Sequence, residues 1–155
     1  MKFLFVMPGE GELTILFIVI ALAIIPYIFF LITLQKTLNA ISAENQKMSP
    51  GNVWLMLIPL FNIVWQFIVV NSIADSIKAE CERLNIPIKE NKPTSGLGLA
   101  WNISTVCFFI PFASLASLVL WILYWVKVNE FKNLIITNKD NYMLDAEKQI
   151  FNTAT

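Results

Sequence analysis

The sequence predicts an all-α membrane protein with four transmembrane helices in two hairpins. The second and fourth spans continue as helical extensions into the cytoplasm. Three observations carry this. Apolar residues make up 57% of the 155-residue chain and charged residues only 14%, against roughly 25% charged in soluble domains. The apolar residues gather into three long, charge-poor runs. When four spans are counted, the basic residues sort to one side.

The first run, Leu13 to Leu34, holds 22 residues and no charge, about 33 Å of helix for a hydrocarbon core of about 30 Å. Pro26 is expected to kink this helix and not end it, because the run continues on both sides. Glu10 and Glu12 just before the run, and the apolar residues after Ala23, fit a retained signal anchor better than a cleaved leader. The second span is read at 53–71. It follows the turn chemistry of Ser49-Pro50-Gly51-Asn52, with Pro50 able to open the helix.

The third run, Leu97 to Val128, is interrupted only by Lys127. At about 48 Å it is too long for one span. Pro111 disfavours helix at Ile110, so a tight hairpin is expected, 94–110 and 112–131, with Lys127 snorkelling. A re-entrant pair that stops short of the far side is the rival. With four spans and the N-terminus inside, nine basic residues lie inside and two, Lys36 and Lys47, outside. Both termini are thus expected in the cytoplasm. Trp54, Trp101, Trp121 and Trp125 are expected to form an aromatic belt near span ends, and Trp65 to pack against another helix.

Ser72 to Leu84 reads as an amphipathic helix. Ile73, Ala74, Ile77, Cys81 and Leu84 share one face; Asp75, Ser76, Lys78, Glu80, Glu82 and Arg83 fill the remainder. No glycine or proline separates it from the second span, so one helix is expected to leave the membrane. Asn85-Ile86-Pro87 ends it. Asn62 and Gln66 fall on the same line as the apolar stripe. Amides seek partners in lipid and apolar residues seek them in water, so that face is expected to meet protein. On the last span Ala113 and Ser117 form a small-xxx-small spacing. The interface residues expected are therefore Asn62, Gln66, Ile73, Ile77, Leu84, Ala113 and Ser117. The 72–84 stripe is expected to pack on a second stripe over 128–136. The tail 137–155 is a short docked helix or a frayed end. The chain reads as one polytopic domain, 1–155.

Several chemistries are disfavoured. There is no histidine and a single arginine, Arg83, which removes the usual proton shuttle and weakens any phosphate clamp. Cys81 and Cys107 make neither a disulfide framework nor a metal site. The intramembrane polar set, Asn62, Gln66, Asn102, Ser104, Thr105, Ser114 and Ser117, is neutral, so helix–helix glue is expected ahead of a solute path. Eleven Lys+Arg balance eleven Asp+Glu, which gives no pull toward nucleic acid.

The stretch Ser49 to Phe67, with its Pro-Gly-x-Val-Trp-Leu and Ile-Pro-Leu-Phe-Asn elements, resembles a bacterial family of small multi-pass membrane proteins classed as a domain of unknown function. The likeness extends over Leu34 to about Glu80 and again over Ile110 to Val128. It implies a polytopic helical fold in a bacterial cytoplasmic (inner) membrane and no activity. The expectation is a non-enzymatic scaffold or accessory subunit without cofactor, acting through a protein partner or as a homo-oligomer. A small oligomeric channel or transporter subunit is the alternative.

Overall fold

Long apolar stretches without glycine leave the backbone few ways to satisfy its own polar groups, and helix is the local solution. The structure, a computed structural model, describes residues 9–107 and 113–153, and every regular element among them is helical. Helix α1 is Glu10–Ala40. A 3₁₀ turn at Ala43–Asn45 and a 3₁₀ helix at Pro50–Leu57 follow. Helices α2, Phe61–Arg83, α3, Ser95–Val106, and α4, Ala113–Thr153, complete the chain.

Helix α1 runs through Pro26 without a break and extends about 46 Å. Among the described residues it is the one helix long and apolar enough to cross a membrane, over Gly11–Ala40. Among the described residues its first buried side chain is Phe30. Ile15, Phe17 and Leu22 are each at least 64% exposed.

Where a single helix over 53–71 is expected, the chain instead folds as a hairpin. Pro50, at the start of the 3₁₀ helix, opens it. Ile58-Pro59-Leu60 then separates it from α2. Leu60 takes φ 63° and ψ −49°, and the Phe61 N–H bonds the Pro59 carbonyl at 2.7 Å. This is a γ-turn of the strained, positive-φ kind. Proline brings no N–H, and the Asn62 and Ile63 N–H groups bond the Ile58 and Leu60 carbonyls. The start of α2 is thus satisfied by backbone alone, without a side-chain cap.

From Phe61, α2 continues unbroken to Arg83. It ends where Asn85 adopts φ 54°. The Ile86 N–H bonds the Cys81 carbonyl at 2.8 Å, and the Asn85 N–H bonds that of Glu82 at 3.2 Å. That pair of bonds is a Schellman motif with asparagine in the left-handed position, and buried Ile86 supplies its apolar contact. The connection to α3 turns at Thr94, φ 70°.

Hydrogen bonds set the direction of each element. Trp54 Nε1 donates to Gln35 Oε1 at 3.0 Å, and Tyr27 Oη to the Met56 carbonyl at 3.4 Å. The 3₁₀ helix therefore runs back along α1. Asn62 sits beside Tyr27, whereas Glu80 meets Ser42, so α2 runs with α1. Trp125 Nε1 donates to Thr33 Oγ1 and Lys139 Nζ to the Ala40 carbonyl, so α4 also runs with α1 and α3 runs against it. The five elements close a ring in the order α1, 3₁₀ helix, α2, α3, α4, and back to α1.

The 42–47 segment lies against Ser76 and Glu80. It does not sit at the opposite end from the 71–96 connection, as the four-span reading requires. The 72–84 stripe and the 128–136 stripe share one core. Yet α4 packs chiefly on α3 and α1 and meets α2 only lightly, because α3 lies between them. Lys127 is paired with Glu90 at 2.6 Å. The expected turn around Ile110 and Phe112 lies outside the described residues. The tail is not a separate short helix: α4, 41 residues in all, carries on through it to Thr153.

Candidate functional site

Phe30 stands at the centre of the ring. Trp101 and Trp121 meet it edge-on at 5.5 and 5.6 Å, Trp125 at 6.0 Å and Tyr124 at 6.1 Å. The tryptophans of α3 and α4 thus form an internal aromatic cluster and not the belt their sequence positions suggest, because all of them project toward α1. Edge-to-face geometry adds about 0.5–1.5 kcal/mol per pair beyond burial. Trp65, by contrast, packs as a mid-helix tryptophan should: its Nε1 donates to the Asn52 carbonyl at 2.9 Å and its ring stacks on Phe61.

The close approach of α2, α3 and α4 depends on Gly98. A Cβ built there would lie 2.9 Å from Tyr124 Cε2 and closer still to Val70. Helices α2 and α3 run antiparallel from that contact. One turn further on from each residue, Gln66 and Asn102 come level in the same interior. Gln66 is 2% exposed and Asn102 fully buried. Both amide atoms of Asn102, the Tyr124 hydroxyl and Asn62 Oδ1 are buried without a hydrogen-bond partner. Asn62 donates from Nδ2 to Tyr27 Oη at 3.5 Å.

Of the residues expected at an interface, Gln66, Ile73 and Ile77 are buried, while Asn62, Leu84 and Ser117 are half-buried. Ser117 Oγ and Thr105 Oγ1 share a hydrogen bond of 2.8 Å, tying α4 to α3. Ala113 opens α4. The structure thus gathers the α2 residues on one line and puts Ser117 in a separate contact. Beside Ser117, a groove of about 450 Å³ is lined by Leu22, Pro26, Tyr27, Trp101, Leu118 and Trp121, among others.

Residues that periodicity assigns to the polar face build the second notable site. Glu80 and Ser76 are both fully buried. Glu80 Oε1 accepts from Ser42 Oγ at 3.0 Å and from Arg83 Nη2 at 2.6 Å, and Oε2 from Asn45 Nδ2 at 2.6 Å. Ser76 Oγ accepts from the Lys47 N–H at 2.8 Å. Burial alone would raise the Glu80 carboxyl. The bonds from Arg83, Asn45 and Ser42 and the Arg83 charge outweigh it and bring the group down to about 2. No spacing rule could have found this cluster, because Ser42 and Asn45 sit in a connection 35 or more residues away.

Neighbouring Cys81 is buried, and its thiol is pushed up to about 11 by desolvation and by the charges of Glu80 and Glu82. A thiol held that high stays protonated and unreactive at neutral pH. Comparison with family models, with curated proteins and with solved structures finds no match to this chain.

Proposed function

We propose that the chain is an integral membrane protein working without catalysis, as a scaffold or accessory subunit acting through helix–helix contact. In this reading α1 is the one full span. The 3₁₀–α2 and α3–α4 pairs are re-entrant hairpins that enter and leave on the same side. Two features support the topology. The first hairpin's tip, Leu57 to Phe61, is apolar, charge-free and exposed. The ten basic residues from Lys36 onward all belong to segments away from that tip. By the positive-inside tendency, the α2–α3 connection and the tail lie in the cytoplasm and the start of α1 on the far side. That replaces the expectation of both termini inside. The bacterial inner membrane is the location that the resemblance over 49–67 implies.

One observation carries the scaffold reading. Helix α4 continues past the bond from Lys139 to the Ala40 carbonyl and offers Tyr142, Met143 and Leu144 exposed. Exposed apolar side chains gathered at one end of the ring call for a partner. Native mass spectrometry from mild detergent should find a bound protein or more than one copy, and Met143→Asp with Leu144→Asp should release it without lowering the melting temperature. A bare monomer in every mild detergent would count against the reading.

A small oligomeric channel or transporter subunit is the second reading. The unpartnered amide of Asn102 and hydroxyl of Tyr124 inside the ring favour it, since buried polar groups ordinarily have partners. Solute flux into liposomes, abolished by Asn102→Leu, is its test.

A further inference from the structure

We propose that the connection 85–94 is a strap across the charged end of the ring, fastened by ion pairs and released as ionic strength rises. The proposal is independent of how many helices cross a membrane.

The strap stands where a helix is missing. Gly98 meets Val70 and Tyr124, and α3 begins only three residues earlier, at Ser95. Helix α2 runs on from Val70 to Arg83, about 20 Å past that contact, and α4 runs on from Tyr124 beside it. Over most of this stretch α3 has not yet begun. Ile77 and Cys81 of α2, and Val128 and Ile135 of α4, are nevertheless fully buried in one core. The strap takes the place of α3. Lys78 Nζ donates to Asn91 Oδ1 at 2.8 Å, Lys92 pairs with Asp75 at 3.0 Å, and Lys127 pairs with Glu90 at 2.6 Å. Residues 90–92 thus tie α2 to α4, which touch each other only lightly.

The backbone at both ends of the strap works against this closed form. Asn85 has φ 54° and Thr94 φ 70°. Asparagine tolerates the left-handed region, but a β-branched threonine there is strained. The Thr94 hydroxyl is also buried without a hydrogen-bond partner, which adds a desolvation cost. Burial of Ile86 and three polar contacts oppose these costs. The contacts lie at the surface: the Lys92 and Glu90 side chains are 52% and 53% exposed. Exposed pairs each contribute little, and salt weakens them. A segment with strained ends and screened fastenings opens before the helices it joins. When it opens, the apolar faces of α2 and α4 lose their cover at the charged end. The strap is therefore a gate to the interior that reads the salt around it.

The test is hydrogen exchange of the full chain in a non-ionic detergent, read peptide by peptide by mass spectrometry. The reporters are the Ile86 and Ser95 amides, which bond the Cys81 and Lys92 carbonyls. Raising salt from about 0.05 M to about 0.5 M should speed exchange over 85–95 about threefold and leave 63–74 of α2 unchanged. Glu90→Gln with Lys92→Gln should exchange about threefold faster at low salt and respond little further to salt. Thr94→Gly, which removes both the branched side chain and its hydroxyl, should slow exchange. Exchange that ignores salt, or a charge variant that exchanges like the parent, overturns the strap. A salt effect equally large over 63–74 would mean that the whole ring loosens, and it too overturns the proposal.

Discussion

The Ser42 hydroxyl donates to the Glu80 carboxylate at 3.0 Å, joining residues 38 positions apart. That bond returns α2 to the end of α1 and turns the chain between them into a hairpin. Asn45 and Arg83 complete the carboxylate's shell. Glu80→Gln keeps the size and loses the charge, so Arg83 is left without its ion partner. Arg83 is 30% exposed and keeps access to water, so the loss is that of charge-assisted hydrogen bonds at the buried carboxylate, about 1.5–3 kcal/mol. The variant should melt well below the parent in detergent, whereas Glu82→Gln on the exposed face should shift stability by no more than about 0.5 kcal/mol.

The same carboxylate gives a dependence on acid. Its folded value of about 2 lies below the ordinary 4.5, so the unfolded chain takes up the proton first as pH falls. The stabilisation is complete above about 4.5 and is lost as pH drops through about 2. It is worth on the order of 3 kcal/mol. Melting followed between pH 7 and pH 2 should show a fall concentrated below pH 4.5, and Glu80→Gln should flatten it. An unchanged profile in that variant would refute the assignment.

Gly98 is where α3 meets Val70 and Tyr124 with no room for a side chain. Gly98→Ala gains helix propensity of about 1 kcal/mol but drives a methyl into both neighbours. Overpacking of this kind costs about 1–3 kcal/mol, and Gly98→Val should cost more. Val70→Ala should recover part of the Gly98→Ala loss, because it removes the closest atoms. Thermal unfolding of the two single variants and the double reports the coupling.

The two cysteines should behave oppositely. Cys107 is exposed at the end of α3 and Cys81 is buried. In detergent a maleimide should modify Cys107 readily and Cys81 only after unfolding. In sealed vesicles the proposed re-entrant topology puts Cys107 in hydrocarbon, where it should resist a water-soluble maleimide from either face. Labelling from the far face alone would establish that α3 and α4 cross completely.

Leu60 holds positive φ with a branched side chain that is 83% exposed. Leu60→Gly should relieve about 1 kcal/mol of backbone strain. A rise in melting temperature in detergent is the expected outcome, and a fall would show that the leucine side chain matters more than the turn.

Some of this was legible in the residues and some was not. Helical periodicity links Gln66, Ile73 and Ile77 on one line of α2, and Asn85-Ile86-Pro87 stops that helix as its residue types dictate. The break at Ile58-Pro59-Leu60 was missed. An uncharged apolar run reads alike whether it crosses a membrane or turns back, and a mid-run proline fits either a kink or an end. Glu80 was placed on the wet face because a helical wheel knows only its own helix. The partners that bury it come from the α1–3₁₀ connection. The tryptophans near span ends suggested an interface with lipid headgroups, but contact with Phe30 decides their position, and Phe30 lies in another run.

Helix α4 is one rigid rod from the groove beside Leu22 to the far end of the tail. Phe151 lies about 40 Å along it from Trp125, its anchor on Thr33. The helix is therefore a ruler: its length fixes how far from the Phe30 cluster anything held by the tail must sit.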